Sequence, residues 1–184
     1  YEKLKIFLKK FSHSPFLIFG FTFNVFENLI EKLKIDNLSI KNLNNGILIH
    51  GGGWKKMQDK KISNEKFKKI LKTKLNLNMV YNYYGLIEQT GSIFMETKEC
   101  GCFTTTDFSE ILIRDKNFNL CPNGEKGFVQ ILSLLPSSYP GHSILTEDIG
   151  EIIDCKNFSS GKSQKHFKIY GRVKESEVRG CSDV

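Results

Sequence analysis

Three short apolar runs, each running into glycine, are separated by stretches with the period of a helix. This alternation restricts the chain to an α/β fold. Pro15 to Gly20 reads as a buried strand, and Gly46 to His50 as a second that ends in Gly51-Gly52-Gly53-Trp54. Leu77 to Val80 reads as a third, leading into Tyr81-Asn82-Tyr83-Tyr84-Gly85-Leu86-Ile87-Glu88-Gln89-Thr90-Gly91. Between the first two runs, Phe26, Leu29, Ile30 and Leu33 recur at helical spacing, with Thr22 or Asn24 as the expected cap. Between the second and third, Phe67, Ile70, Leu71 and Leu75 do the same behind Ser63 or Asn64. Tyr1 to Phe11 alternates lysine with apolar residues and reads as the end of a helix entering the core. The first half is therefore expected to be β-α-β-α-β with a mainly parallel sheet.

After Gly91 the texture changes. Glu110 to Arg114, Gly127 to Leu134, Gly150 to Asp154 and His166 to Tyr170 read as strands between Pro, Asn, Gly and Ser turn signals. This second half is expected to be β-rich and largely antiparallel, with Asp148 in a turn between strands.

With 184 residues and 40% hydrophobic content, the chain can bury a core. Its net charge of +7 is concentrated in nine lysines between Lys55 and Lys74. Such a run can attract nucleic acid, but the apolar residues inside it make it the solvated face of a helix, and no nucleic-acid partner is expected. The longest apolar run, Pro15 to Phe26, is too short to span a bilayer, so no transmembrane segment is expected. The five cysteines, at 100, 102, 121, 155 and 181, follow no secretory signal and point to a reducing, cytoplasmic setting. Cys100-Gly101-Cys102 lacks the usual zinc spacing, and His142 and His166 stand isolated in sequence, so zinc is not expected. His50, beside the glycine run, is either a satisfied core residue or a substrate contact.

The central motif carries the chemistry. A tyrosine ring, from Tyr83 or Tyr84, can stack on a base. Gly85 permits close backbone approach or a positive φ. Glu88 can hold magnesium with help from ligand phosphates. A strand, a glycine run and a helix around Gly51, Gly52 and Gly53 would bring backbone amides to a ligand, although neither a Walker A loop nor Gly-x-Gly-x-x-Gly is present.

In order, Tyr84 to Glu88, Gly124-Glu125-Lys126-Gly127, Thr146-Glu147-Asp148, and Gly171-Arg172 with Arg179-Gly180 resemble the core motifs of the adenylate-forming enzymes. Glu147 stands where that superfamily usually has glycine, and the last motif is one residue short. A closer resemblance is to the LuxE-type acyl-protein synthetases, the long-chain-fatty-acid–luciferin-component ligases. It rests on Phe19-Gly20-Phe21-Thr22, His50-Gly51-Gly52-Gly53-Trp54-Lys55, Tyr84-Gly85-Leu86-Ile87-Glu88-Gln89 and Arg179-Gly180-Cys181-Ser182-Asp183.

The resemblance implies part of the large domain of an adenylating enzyme. Residues 1–93 would form its α/β part and 94–184 a β-rich part ending at a hinge-like motif, in one continuous domain. An N-terminal half bearing the Ser/Thr/Gly-rich phosphate loop is expected outside this sequence, and the piece alone is expected to be inactive. ATP would activate a fatty acid or other carboxylate as acyl-AMP, and the acyl group would pass to a thiol. By the same resemblance, Tyr84 and Gly85 would meet adenine, Asp148 the ribose hydroxyls and Arg172 ribose or phosphate. Glu88 would ligate Mg2+. Gly51, Gly52, Gly53 and Thr90 would border the acyl carboxylate, and Cys181 would accept the acyl chain. A partner protein that donates or accepts the acyl group is also implied. Two alternatives are a CoA ligase of the phenylacetate-CoA ligase type and a non-catalytic binding module of the same fold.

Overall fold

The structure, a computed structural model, describes residues 2–11, 13–32, 43–155 and 164–173. The described residues divide into two compact units, one ending at Asn82 and one beginning at Tyr83.

The first unit begins with helix α1 (Glu2–Phe11), which buries Leu8. Strand β1 (Phe16–Phe21) runs parallel to β2 (Gly46–Gly51), with Phe16 opposite Gly46 and Phe21 opposite Gly51. Helix α2 (Thr22–Val25) widens directly into a π-helical turn, Phe26–Glu31. Neither residue expected to cap it does so. Phe21 is the cap position and makes no side-chain capping bond, while the Thr22 hydroxyl turns toward His50 and Gly51. Of the expected apolar stripe, Phe26 and Ile30 are buried; Leu33 lies outside the described residues.

Helix α3 (Asn64–Leu75) follows the sequence closely. The Ser63 hydroxyl accepts from the Lys66 amide at 3.2 Å, which satisfies one of the orphan donors of the first turn. Phe67, Leu71 and Leu75 are buried, and Lys66, Lys69, Lys72 and Lys74 face solvent. Asn76 closes the helix in the left-handed region (φ 54), as asparagine tolerates. The core of this unit gathers Val25, Phe26, Ile30, Leu43, Leu48, Trp54, Phe67, Leu71, Leu75, Leu77 and Val80.

The third strand is displaced from its expected place. β3 spans Met79–Gly85, so the aromatic motif is itself strand, while Leu77 is a buried residue that precedes it. The strand order of this sheet is β1-β2-β3-β4, with β4 (Ile93–Met95) antiparallel to β3. Gly85 lacks a positive φ; its role is close approach, because a Cβ there would stand 3.1 Å from the Ser92 carbonyl oxygen.

The second unit holds a five-stranded antiparallel sheet in the order β5-β9-β8-β7-β6. Its strands are β5 (Phe103–Thr104), β6 (Ser109–Arg114), β7 (Gly127–Ser133), β8 (Ser143–Ile153) and β9 (His166–Arg172). Alternate residues of β6 and β7 are buried, the period-2 pattern of a sheet with one covered face. Phe94, Phe103, Ile111, Ile113, Val129, Ile131, Ile152 and Phe167 form the core. Among the described residues, no helix is long and apolar enough to cross a membrane.

Candidate functional site

Asp148 lies within β8 rather than in a turn, and the reason it resembled a turn is a bulge. Phe128 pairs with Ile149 and Gln130 with Leu145, so Val129 alone faces Thr146, Glu147 and Asp148. Extra residues on one strand of a pair bend it and re-aim its side chains. The Thr146 hydroxyl pins the bend, donating to the Val129 carbonyl at 2.8 Å and accepting from the Asp148 amide at 3.1 Å. A second irregularity lies between Ile149 and Gly150, where β8 pairs with β9.

On the β9 side, Asp148 sits directly opposite Arg172. Directly paired residues share a sheet face, and Arg172 Nε stands 3.9 Å from Asp148 Oδ1. The other carboxylate oxygen, Oδ2, accepts a 2.8 Å hydrogen bond from the Tyr84 hydroxyl. The Tyr84 ring is half-buried against Phe94, Phe103 and Phe167, at centroid distances of 6.0 to 6.2 Å. Burial raises the Tyr84 hydroxyl well above its ordinary pKa, and the negative Asp148 raises it further. The phenol therefore stays protonated and remains a donor. A carboxylate offers about four lone-pair directions, so Asp148 keeps acceptor capacity after serving Tyr84.

Glu88 and Thr90 occupy the short turn after β3, with Glu88 in a 3-10 segment, Ile87–Gln89. Both are exposed, and the Thr90 hydroxyl donates to the Ile87 carbonyl at 3.1 Å. The turn is tethered from beneath by Gln89, which is fully buried and donates to the Gly141 carbonyl at 2.8 Å and the Ile131 carbonyl at 3.3 Å. In sequence Gln89 is the last residue of the Tyr84 to Gln89 motif and carries no assigned role; its tethering partners come from distant segments. Elsewhere in the second unit, the Gly124 amide donates to the Ile152 carbonyl at 2.8 Å, and Lys126 lies 4.0 Å over the Tyr170 ring.

Within the second unit, then, the structure brings together Tyr84, Thr146, Asp148 and Arg172, with Glu88 and Thr90 on the turn that continues from Tyr84-Gly85. The glycine run belongs to the first unit. Gly51 ends β2 and is buried, while Gly52, at φ 74, and Gly53 are exposed. His50 is 1% exposed and packed on Phe67; its Nδ1 lies 2.9 Å from the Thr22 hydroxyl, and its Nε2 is buried with no hydrogen-bond partner among the described residues. Cys181 lies outside the described residues.

The fold is that of domains from adenylate-forming enzymes. It resembles an open conformation of 2-hydroxyisobutyryl-CoA ligase in complex with 2-HIB-AMP and CoA, with a TM-score of 0.73 and 17% identity. That likeness covers 94% of this chain and 36% of the ligase. It also resembles McyG A-PCP complexed with phenylalanyl-adenylate, with a TM-score of 0.56 and 20% identity over 94% of this chain and 32% of that one.

The sequence narrows the class. The pattern of the family described as "Acyl-protein synthetase, LuxE" matches residues 2–184, and the chain belongs to that family. It is 25% identical over 138 residues to the long-chain-fatty-acid–luciferin-component ligase of Vibrio harveyi. That match takes in 73% of this chain and 35% of the relative, so the chain spans about a third of the length of the proteins it resembles.

Proposed function

We propose that this chain supplies the nucleotide-binding part of an enzyme that activates a long-chain fatty acid as acyl-AMP and transfers the acyl group to a protein thiol. The observation that carries the reading is the Tyr84–Asp148–Arg172 cluster in a member of the LuxE family. A carboxylate fixed from one side by a phenol suits a vicinal diol, since its remaining lone pairs can accept from two hydroxyls. Asp148 would hold the ribose of ATP, the Tyr84 ring and Gly85 would meet adenine, and Arg172 would place positive charge by the ribose or phosphate.

The donor set also fits magnesium at Glu88, a hard carboxylate held outward by the buried Gln89. Magnesium there would offset charge on the phosphates. The substrate carboxylate oxygen would attack the α-phosphorus, forming a new P–O bond as the bond to pyrophosphate breaks. This step needs positioning and charge neutralisation more than covalent help from the protein. Within the second unit, Thr90 would border the acyl carboxylate. Cys181 thiolate would then attack the acyl carbonyl and release AMP, leaving a thioester; Arg172 and Arg179 lie near it in sequence, and positive neighbours favour thiolate.

The acceptor is tested by incubating the full-length protein with ATP and a radiolabelled long-chain fatty acid. The expected result is a hydroxylamine-labile label on the protein that Cys181→Ser removes. Release of labelled acyl-CoA on adding CoA, with no label on the wild-type protein, would overturn Cys181 as acceptor and make the protein a CoA ligase.

A further inference from the structure

Cys100, Cys102 and His166, which the sequence reading set aside, meet in the second unit. Their potential ligand atoms all lie within 4.8 Å of one another. Cys102 is 1% and His166 7% exposed, and Cys100 is half-buried. In sequence, no cysteine or second histidine stands near His166. Strand pairing supplies the partners: His166 opens β9 opposite Thr104, two residues beyond Cys102.

The local structure is built around these side chains. The turn from Thr97 to Cys102 is closed by the Thr97 amide donating to the Cys102 carbonyl at 2.7 Å and by the Gly101 amide donating to the Thr97 carbonyl at 3.0 Å. The Thr97 hydroxyl lies 3.0 Å from the Cys100 sulfur and 3.5 Å from that of Cys102. The Thr104 hydroxyl lies 3.2 Å from His166 Nδ1 and holds the ring. Glu96, 5% exposed, stands beside the same turn, with Oε1 3.3 Å from where a Cβ on residue 101 would be. In the structure a disulfide joins the two cysteines, whose Cα atoms are 5.3 Å apart. A disulfide has no need of the buried imidazole that converges on the same point.

We propose that the reduced form of this cluster binds one zinc ion through Cys100 Sγ, Cys102 Sγ and His166. Two thiolates and an imidazole are the donor set of zinc, and soft sulfur ligands exclude magnesium and calcium. Three protein ligands leave the fourth position open to water. Each thiol gives up its proton on binding, so one zinc displaces two protons from the pair. Thr104 is the outer partner that orients the ring, while the Thr97 hydroxyl donates to the Cys102 carbonyl at 3.2 Å and holds the turn. The ion fastens the turn 97–102 to the first residue of β9, the strand whose last residue, Arg172, faces Asp148.

The test is metal analysis of the full-length protein purified under reductant, followed by replacement of zinc with cobalt. We expect one zinc per chain and a thiolate-to-cobalt charge-transfer band. Cys100→Ser, at the half-exposed position, leaves one of the two thiolates and should cut the band to half or less in a folded protein, and Thr104→Val should weaken zinc roughly 10- to 100-fold in competition with a chromophoric chelator. A reduced wild-type protein that retains no zinc and gives no such band would overturn the proposal. So would cobalt spectra unchanged by Cys100→Ser.

Discussion

Asp148→Ala in the full-length protein is expected to weaken a non-hydrolysable acyl-AMP analogue by at least about a hundredfold. The proposed contact is a pair of hydrogen bonds from ribose hydroxyls to a charged acceptor, each worth about 1.5–3 kcal/mol. Losing the pair removes about 3 kcal/mol or more, and each 1.4 kcal/mol is roughly tenfold in Kd. Tyr84→Phe separates two effects. It keeps the ring for stacking and removes only the 2.8 Å bond that orients Asp148. The expected loss is about tenfold, the scale of one hydrogen bond to a charged group. Calorimetric titration reads both values, with circular dichroism to show that each variant is folded. An Asp148→Ala protein that binds the analogue as tightly as the wild type would remove Asp148 from the nucleotide site.

The stability of the first unit should fall steeply in mild acid because of His50. Its Nδ1 lies 2.9 Å from the Thr22 hydroxyl, which donates its own hydrogen to the Gly51 carbonyl at 3.1 Å. The hydroxyl can therefore only accept from the ring, which fixes the neutral tautomer with hydrogen on Nδ1. Burial, and then the positive charge of Lys68, lower His50 from 6.5 to about 4. In the unfolded chain the ring titrates near 6.5, so between the two values the unfolded state binds more protons. The contribution is present in full above pH 6.5 and is lost progressively as pH falls toward 4. A shift of about 2.5 pH units corresponds to about 3 kcal/mol. Urea unfolding of the wild type and His50→Gln at pH 7 and pH 4.5 checks this. The wild type should lose about 2 kcal/mol more than the variant over that interval. Equal losses would mean that His50 is solvated in the native protein.

What the sequence made legible depended on whether one residue's neighbours in the chain are also its neighbours in space. α3 could be read because Ser63, Phe67, Leu71, Leu75 and Asn76 carry cap, stripe and stop within a few turns. β6, β7 and β9 could be read from alternation within each run. Asp148 was misplaced into a turn because the bulge opposite Val129 breaks the alternation of β8, and a bulge is set by its partner strand. The short strands β4 and β5 carry too few residues to show any period. Thr22 looked like a cap, but its hydroxyl answers to His50 and Gly51, which arrive from the next strand. Of the candidate site, the residue types and their order were legible. The Tyr84–Asp148 bond, the Arg172 pairing and the convergence of His166 on Cys100 and Cys102 were not, because each joins segments far apart in the sequence.

The central claim is that the full-length protein makes an acyl-adenylate, and carboxylate-dependent exchange of radiolabelled pyrophosphate into ATP tests it most directly. The account predicts exchange that requires a long-chain fatty acid and magnesium, that proceeds without any thiol acceptor, and that Asp148→Ala suppresses at least about a hundredfold. Exchange absent from a folded full-length protein with ATP, magnesium and a range of carboxylic acids would contradict it, and would leave a non-catalytic binding module of the same fold.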